Sequence, residues 1–181
     1  RAGLKLAGAA KAFNLDFHGK TVLDVGSSTG GFTDFALQHG AKKVYAVDVG
    51  TDQLHPSLRG NKRIELYEKT DIRDFVPSEI LDIVVIDVSF ISLRQILPHV
   101  AKIVDKNTTI AAMVKPQFEA QRQQLTRGGV VKNDGVRRAI LREFEQWARA
   151  NFIIIDKADS EVKGAHGNLE RFYILRKAGS C

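Results

Sequence analysis

Leu23-Asp24-Val25-Gly26-Ser27-Ser28-Thr29-Gly30-Gly31-Phe32-Thr33 decides how this chain is read. Thr21-Val22-Leu23 is a short β-favouring apolar run, Asp24 ends it, and small residues lead into a helical pattern that starts at Phe32. Strand, tight glycine turn and helix form the opening unit of a parallel α/β sheet, whose ligands sit beyond the carboxyl ends of the strands. Glycine suits a loop that turns sharply and lets a ligand approach the backbone. Gly26, Gly30 and Gly31 are spaced as G-x-x-x-G-G. That is neither the G-x-G-x-x-G of nicotinamide and flavin folds nor a P-loop, since no Gly-Lys-Ser/Thr follows. An acidic strand end and a loop without basic residues suit a cationic, phosphate-free ligand such as S-adenosyl-L-methionine.

The chain around this stretch has 181 residues, enough for one compact domain with a sizeable core. Its net charge of +6 leans toward a polyanionic partner. The single cysteine, Cys181, leaves no disulfide framework and no cysteine metal site, which fits a reducing, cytoplasmic setting. There is no long apolar run and no signal peptide, so neither a membrane span nor export is expected. The start at Arg1, straight into a helical pattern, suggests a domain of something longer.

Residues 4–13 read as a helix with Leu6, Ala9, Ala10 and Phe13 on one face and Lys5 off it. Residues 32–38 read as a second helix, stopped by Gly40. Strands follow at Lys43–Val47, Ile64–Tyr67, Ile83–Ile86 and Thr109–Val114, with a helix expected over 92–104. Residues 117–133 break into a polar, glycine-containing loop, after which Val136, Ala139, Ile140, Phe144, Trp147 and Ala148 follow helical spacing. Two late strands, 152–155 and 172–175, have no helix between them. The expected architecture is α/β: a Rossmann-like, mostly parallel seven-stranded sheet with an antiparallel last strand.

Asp24, Asp48 and Asp87 recur at strand ends, and Asp71 lies just past the third strand. Such ends share one edge, so the four are expected near one another. Asp48 follows the loop by about the twenty residues at which an acidic side chain receives ribose hydroxyls. Asp71 is placed to accept from an adenine amino group. Each alone reads equally well as a helix cap or a solvated carboxylate, and the glycine loop tips the set toward a ligand. Lys115 ends a buried strand and Pro116 holds it extended, so it should point into the ligand crevice. Glu170 alone reads as a charge that protects an edge strand. Lys5 alone reads as a solvated lysine on an exposed helix face.

Arg1-Ala2-Gly3-Leu4-Lys5-Leu6, the stretch from Asp24 to Phe32, Asp87, Lys115-Pro116 and Gly167-Asn168-x-Glu170 together resemble the FtsJ-like ribose 2′-O-methyltransferases. More narrowly, the wording is similar to their hemolysin A (TlyA) branch, whose members are called rRNA methyltransferases or hemolysins. The resemblance covers practically the whole chain. It implies a class I S-adenosyl-L-methionine-dependent methyltransferase with a catalytic tetrad of Lys5, Asp87, Lys115 and Glu170. It also implies cofactor contacts from Asp24, Gly26, Ser27, Ser28, Thr29, Gly30, Gly31, Phe32, Asp48, Asp71 and Ile72. In that branch an RNA-binding S4 module normally precedes this domain, and none is present here.

The tetrad suits the chemistry. Methyl transfer to a ribose hydroxyl needs in-line placement and some loss of the hydroxyl proton. A lysine with its ordinary pKa of about 10.4 is a poor base at neutral pH. A second cation and partial burial favour its neutral amine, while carboxylates favour the ammonium. Lys115 is the candidate for touching the hydroxyl, with Lys5 as second cation and the two carboxylates orienting them. The fourth strand ends Asp87-Val88-Ser89-Phe90, unlike exocyclic-amine methyltransferases, and Cys181 is badly placed for attack on cytosine C5.

Residues 115–149 carry eight Lys/Arg against four acids. Arg122, Arg127 and Lys132 bracket Gly128-Gly129 as a candidate phosphate-contacting rim, whereas Arg137, Arg138 and Arg142 read as the wet face of a helix. The five histidines show no ligand spacing, so no metal is expected, and His166 is a candidate neighbour of Glu170. The expected partner is ribosomal RNA or a ribosomal subunit, with no membrane, and the oligomeric state is left open. Three alternatives stand beside this: a methyltransferase of a small molecule or protein, a non-catalytic RNA-binding or assembly domain, and a membrane-lytic protein.

Overall fold

β1 (Thr21–Val25) is an inner strand of a seven-stranded sheet, third from one edge, and is buried along its whole length. It pairs in parallel with β2 (Lys43–Val47) on one side and β4 (Ile83–Ile86) on the other. β3 (Ile64–Tyr67) continues outward from β2, and β5 (Thr109–Val114) from β4, both in parallel. β7 (Arg171–Lys177) is then antiparallel to β5, and β6 (Phe152–Asp159) closes the far edge by pairing antiparallel with β7. The order is β3-β2-β1-β4-β5-β7-β6, the expected mostly parallel sheet. The chain reverses its direction of travel across the sheet between β1 and β4, and a crevice opens beyond the strand ends at such a point. The computed structural model describes residues 2–179. Arg1, Ser180 and Cys181 lie outside them, and with them the first residue of the N-terminal motif and the terminal cysteine.

Both sheet faces are covered, as the apolar strands require. α1 (Ala2–Phe13) and α2 (Gly31–Gln38) pack Leu6, Ala9, Phe32 and Ala36 against Val22, Val44, Ile83, Val85, Ala111, Met113 and Phe172. α3 (Leu97–Ile103) and α5 (Asp134–Ala148) pack Leu97, Val100, Leu141 and Phe144 against Leu23, Tyr45, Val84, Ile86, Ala112 and Tyr173. Successive strand residues alternate between these two faces.

Several elements differ from the sequence expectation. Residues 92–104 are not one helix: a 3₁₀ turn, Leu93–Gln95, is capped by Ser92 Oγ before α3 begins with Pro98 in its first turn. Proline suits that position and not a helix interior. Residues 117–133 are more ordered than a loop, with a short helix α4 (Pro116–Glu119), a 3₁₀ turn at Arg122–Gln124 and a bridge between Leu125 and Val131. Both late strands run longer than 152–155 and 172–175, because their polar ends still find ladder partners. Arg137 is not on a wet face. It is buried, donating to Leu169 O at 3.0 Å and pairing with Asp159 at 2.6 Å.

Candidate active site

The alternation of faces places the key side chains. In β4, Ile83 and Val85 face α1 and α2, so Asp87 just past its end has the same parity. In β5, Ala111 and Met113 face that side, and Lys115 follows in step. In β7, Phe172 and Ile174 face it, which gives Glu170 the same parity. β7 runs opposite to its neighbours, so its beginning stands at the edge where β4 and β5 end. Three side chains from three strands thus gather under α1, which contributes Lys5.

Lys115 Nζ pairs with Asp87 Oδ1 at 2.6 Å and donates to Ser89 Oγ at 3.0 Å. Lys5 Nζ pairs with Glu170 Oε1 at 2.9 Å. Gln117 Nε2 donates to Glu170 Oε2 at 3.0 Å. Lys5, Lys115, Gln117 and Glu170 line one cavity of about 410 Å³, with Ser89, Phe90 and Phe118 on its walls. The expectation of an exposed Lys5 is therefore corrected. Lys5 is only 9% exposed, because Lys5, Leu6 and Ala9 share the face that α1 lays on the sheet. Glu170 is not an edge charge either. It is 1% exposed, and the edge strand is β6, not β7.

A second cavity, about 350 Å³, opens beyond β1, β2 and β4. Gly26, Ser28, Asp48, Asp71, Ile72 and Asp87 line it, and none of its lining residues is Lys or Arg. Asp48 organises the loop, accepting from Ser28 N and Gly50 N, each at 2.7 Å. Asp71 caps the 3₁₀ turn Ile72–Asp74 and is clasped by the Arg73 guanidinium, which holds its carboxyl down at about 2. Gly26 has φ of +81°, and a Cβ there would lie 2.3 Å from Asp87 O, so only glycine lets β1 and β4 approach at the floor. A smaller space of about 150 Å³, lined in part by Ser27, Thr29, Gly31, Phe32 and Lys115, joins the two cavities. Gly30 does not line them. It turns the chain into α2 against Leu54 and Leu58.

Asp24 does not face the cleft. It lies inside β1 rather than at its end and shares the α2 face with Val22. It is fully enclosed, and Thr33 Oγ1 donates to its Oδ2 at 2.7 Å. Burial pushes its carboxyl up to about 7.

Several residues had no site role in the sequence reading. Gln117 is an ordinary polar residue until β7 is seen beside it. Phe90 is 88% exposed, has φ of +64°, and its ring lies 4.9 Å from that of Phe118. Glu119 ties these parts together, accepting from Ser92 Oγ at 2.7 Å and Leu93 N at 2.9 Å, and its burial raises its carboxyl. Asn168 pins the basic loop to the site through Val131 N at 3.1 Å and Gly129 O at 3.3 Å. Arg122, Arg127 and Lys132 are exposed along that loop. His166 is exposed in the turn before Glu170. Among the described residues no group of three or more His, Cys, Asp or Glu is placed to hold a metal, and no helix is long and apolar enough to cross a membrane.

The family model for FtsJ-like methyltransferases matches residues 1–178. The Bacillus subtilis protein YqxC is 41% identical over 175 residues, 94% of this chain and 62% of that protein. The chain thus spans less than two thirds of that relative's length. The Mycobacterium tuberculosis 16S/23S rRNA (cytidine-2′-O)-methyltransferase TlyA is 39% identical over 97% of this chain and 67% of its own length. A solved Streptococcus thermophilus chain described as a hemolysin superposes with a TM-score of 0.94 at 42% identity, covering 99% of this chain and 67% of that one.

Proposed function

The chain belongs to the FtsJ-like methyltransferase family, and we propose that it transfers a methyl group from S-adenosyl-L-methionine to a ribose 2′-hydroxyl of ribosomal RNA. The observation that carries this is the meeting of two unlike cavities at the Lys115–Asp87 pair. One is carboxylate-lined with no basic residue; the other is walled by two lysines, a glutamate and two phenylalanines.

The first cavity fits the donor. Its acidic lining suits a cation without phosphates, and the Gly26 floor would be closed by any Cβ. Asp48 would take ribose hydroxyls with its remaining lone pairs, and Asp71 and Ile72 would edge the adenine. When bound, the donor supplies an electrophilic methyl on a sulfonium. Asp24 would act from beneath the loop, not by contact.

In the second cavity Lys115 Nζ meets the acceptor hydroxyl and takes up its proton as the hydroxyl oxygen is methylated. Asp87 and Ser89 orient that nitrogen. Lys5 sets a second amine side chain in the same cavity. Glu170 holds Lys5. Phe90 and Phe118 offer ring faces to the target base, as single-stranded RNA recognition uses. Arg122, Arg127 and Lys132 form the phosphate rim. The relatives named for cytidine 2′-O-methylation support cytidine as the target nucleoside.

Unmodified ribosomal subunits incubated with the chain and S-adenosyl-L-methionine, then mapped for 2′-O-methyl marks, test the reading. A new mark on a ribose, lost with Lys115→Ala while the donor still binds, is the expected result. Methyl found only on a base, a protein or nothing would overturn it.

A further inference from the structure

The Glu170 carboxylate is enclosed, and both of its oxygens are engaged. Oε1 takes the Lys5 ammonium at 2.9 Å and Oε2 takes the Gln117 Nε2–H at 3.0 Å. An ionised carboxylate only accepts, so the amide must turn its NH₂ toward it. That choice leaves Gln117 Oε1 enclosed without a hydrogen-bond partner among the described residues. A buried carbonyl left bare is costly, and the bond that the amide makes at that cost is the one to Glu170. Gln117 is 7% exposed and is the second residue of α4. Pro116 therefore separates two side chains of the same cavity: Lys115, held extended before it, and Gln117, aimed by the helix after it.

We infer that Gln117 is a positioning residue for methyl transfer, acting through Glu170 on Lys5, a role that rests on the ribose methyltransferase function proposed for the site. Its N–H fixes the carboxylate toward Lys5. Lys5 is then held at its place in the cavity by Glu170, and the proton-accepting role falls to Lys115. The charged groups around the cavity are Lys5 from α1, Lys115 from the end of β5 and Asp87 from the end of β4. On the hairpin itself, Lys163 and His166 precede Glu170, and Arg171 after it pairs with Asp159 and Glu145.

The test follows methyl transfer to ribosomal subunits across about pH 5.5 to about 9 for the full chain, Gln117→Met and Gln117→Glu. Donor affinity and thermal unfolding are measured alongside. Gln117→Met should keep donor affinity within about twofold, lose about tenfold or more in kcat, and move the acid limb of the rate profile to higher pH. Gln117→Glu, which sets a second carboxyl against Glu170, should move it further. If Gln117→Met fails to fold, the closer-shaped Gln117→Glu carries the comparison. A fall in kcat with the limb unmoved would mean a merely structural residue and overturn the inference, as would a variant indistinguishable from wild type. Methyl found on an acceptor other than ribose would overturn the functional reading, while the pH comparison still decides the role of Gln117.

Discussion

Lys5 and Glu170 stand 165 positions apart in the chain and meet at 2.9 Å, both enclosed between α1 and the start of β7. Removing one member of a buried pair leaves the other charge without compensation, which costs about 3–5 kcal/mol. Lys5→Met should therefore lower the unfolding free energy in urea by that amount and abolish methyl transfer. Lys5→Met combined with Glu170→Gln should restore most of the stability and none of the activity. Equal stabilities for wild type and the single variant would show that the pair carries no such weight.

Lys115 lies at the junction between the cavities and does not line the carboxylate-rich one. Lys115→Met should leave donor affinity by calorimetry within about threefold while single-turnover transfer falls by about 10²–10⁴. Loss of donor binding in proportion to activity would assign Lys115 to the wrong cavity.

Asp24 gives the fold a pH dependence of definite sign. Its carboxyl is pushed up to about 7, first by burial and against the Thr33 hydrogen bond. Below about pH 4 the folded and unfolded chains both hold this proton. Between about 4 and about 7 only the folded chain holds it, so stability falls as pH rises and levels off above that. The integrated loss is on the order of 4 kcal/mol. Asp24→Asn should flatten this slope in denaturant midpoints taken across the range. Parallel slopes in the two proteins would contradict it.

Gly164 abuts Glu170: a Cβ there would lie 2.1 Å from Oε2. Gly164→Ala should displace the carboxylate from both Lys5 and Gln117 and cut transfer by about tenfold or more, with donor affinity retained. Full activity in this variant would show that Glu170 tolerates the shift.

Arg122, Arg127 and Lys132 are exposed and make no ion pair among the described residues. Replacing all three by alanine should weaken RNA binding and reduce the slope of log affinity against log salt by roughly 0.7–0.9 for each phosphate no longer neutralised. An unchanged slope would remove them from the interface.

The parallel strands were legible because each is a short apolar run bounded by polar residues. Lys43–Val47, Ile64–Tyr67, Ile83–Ile86 and Thr109–Val114 appear with the expected limits. The glycine loop was legible for the same reason, since its spacing is local. What stayed hidden depends on packing between distant segments. Lys5 reads as solvated because nothing within α1 shows that Glu170 will come to meet it. Asp24 reads as a strand end because periodicity cannot tell a buried carboxylate with one threonine partner from an exposed one. Gln117 and Gly164 carry no signal at all until Glu170 is seen beside them. The resemblance pointed to Lys5 and Glu170 where residue chemistry alone preferred the bland reading.

The reversed direction of β7 has a consequence for how the molecule comes into being. A ribosome synthesising this chain completes every strand beneath the donor cleft by residue 86, yet the partner of Lys5 emerges some eighty residues later. Until then the nascent chain carries Lys5 without its carboxylate, and the second cavity lacks a wall that no earlier residue supplies.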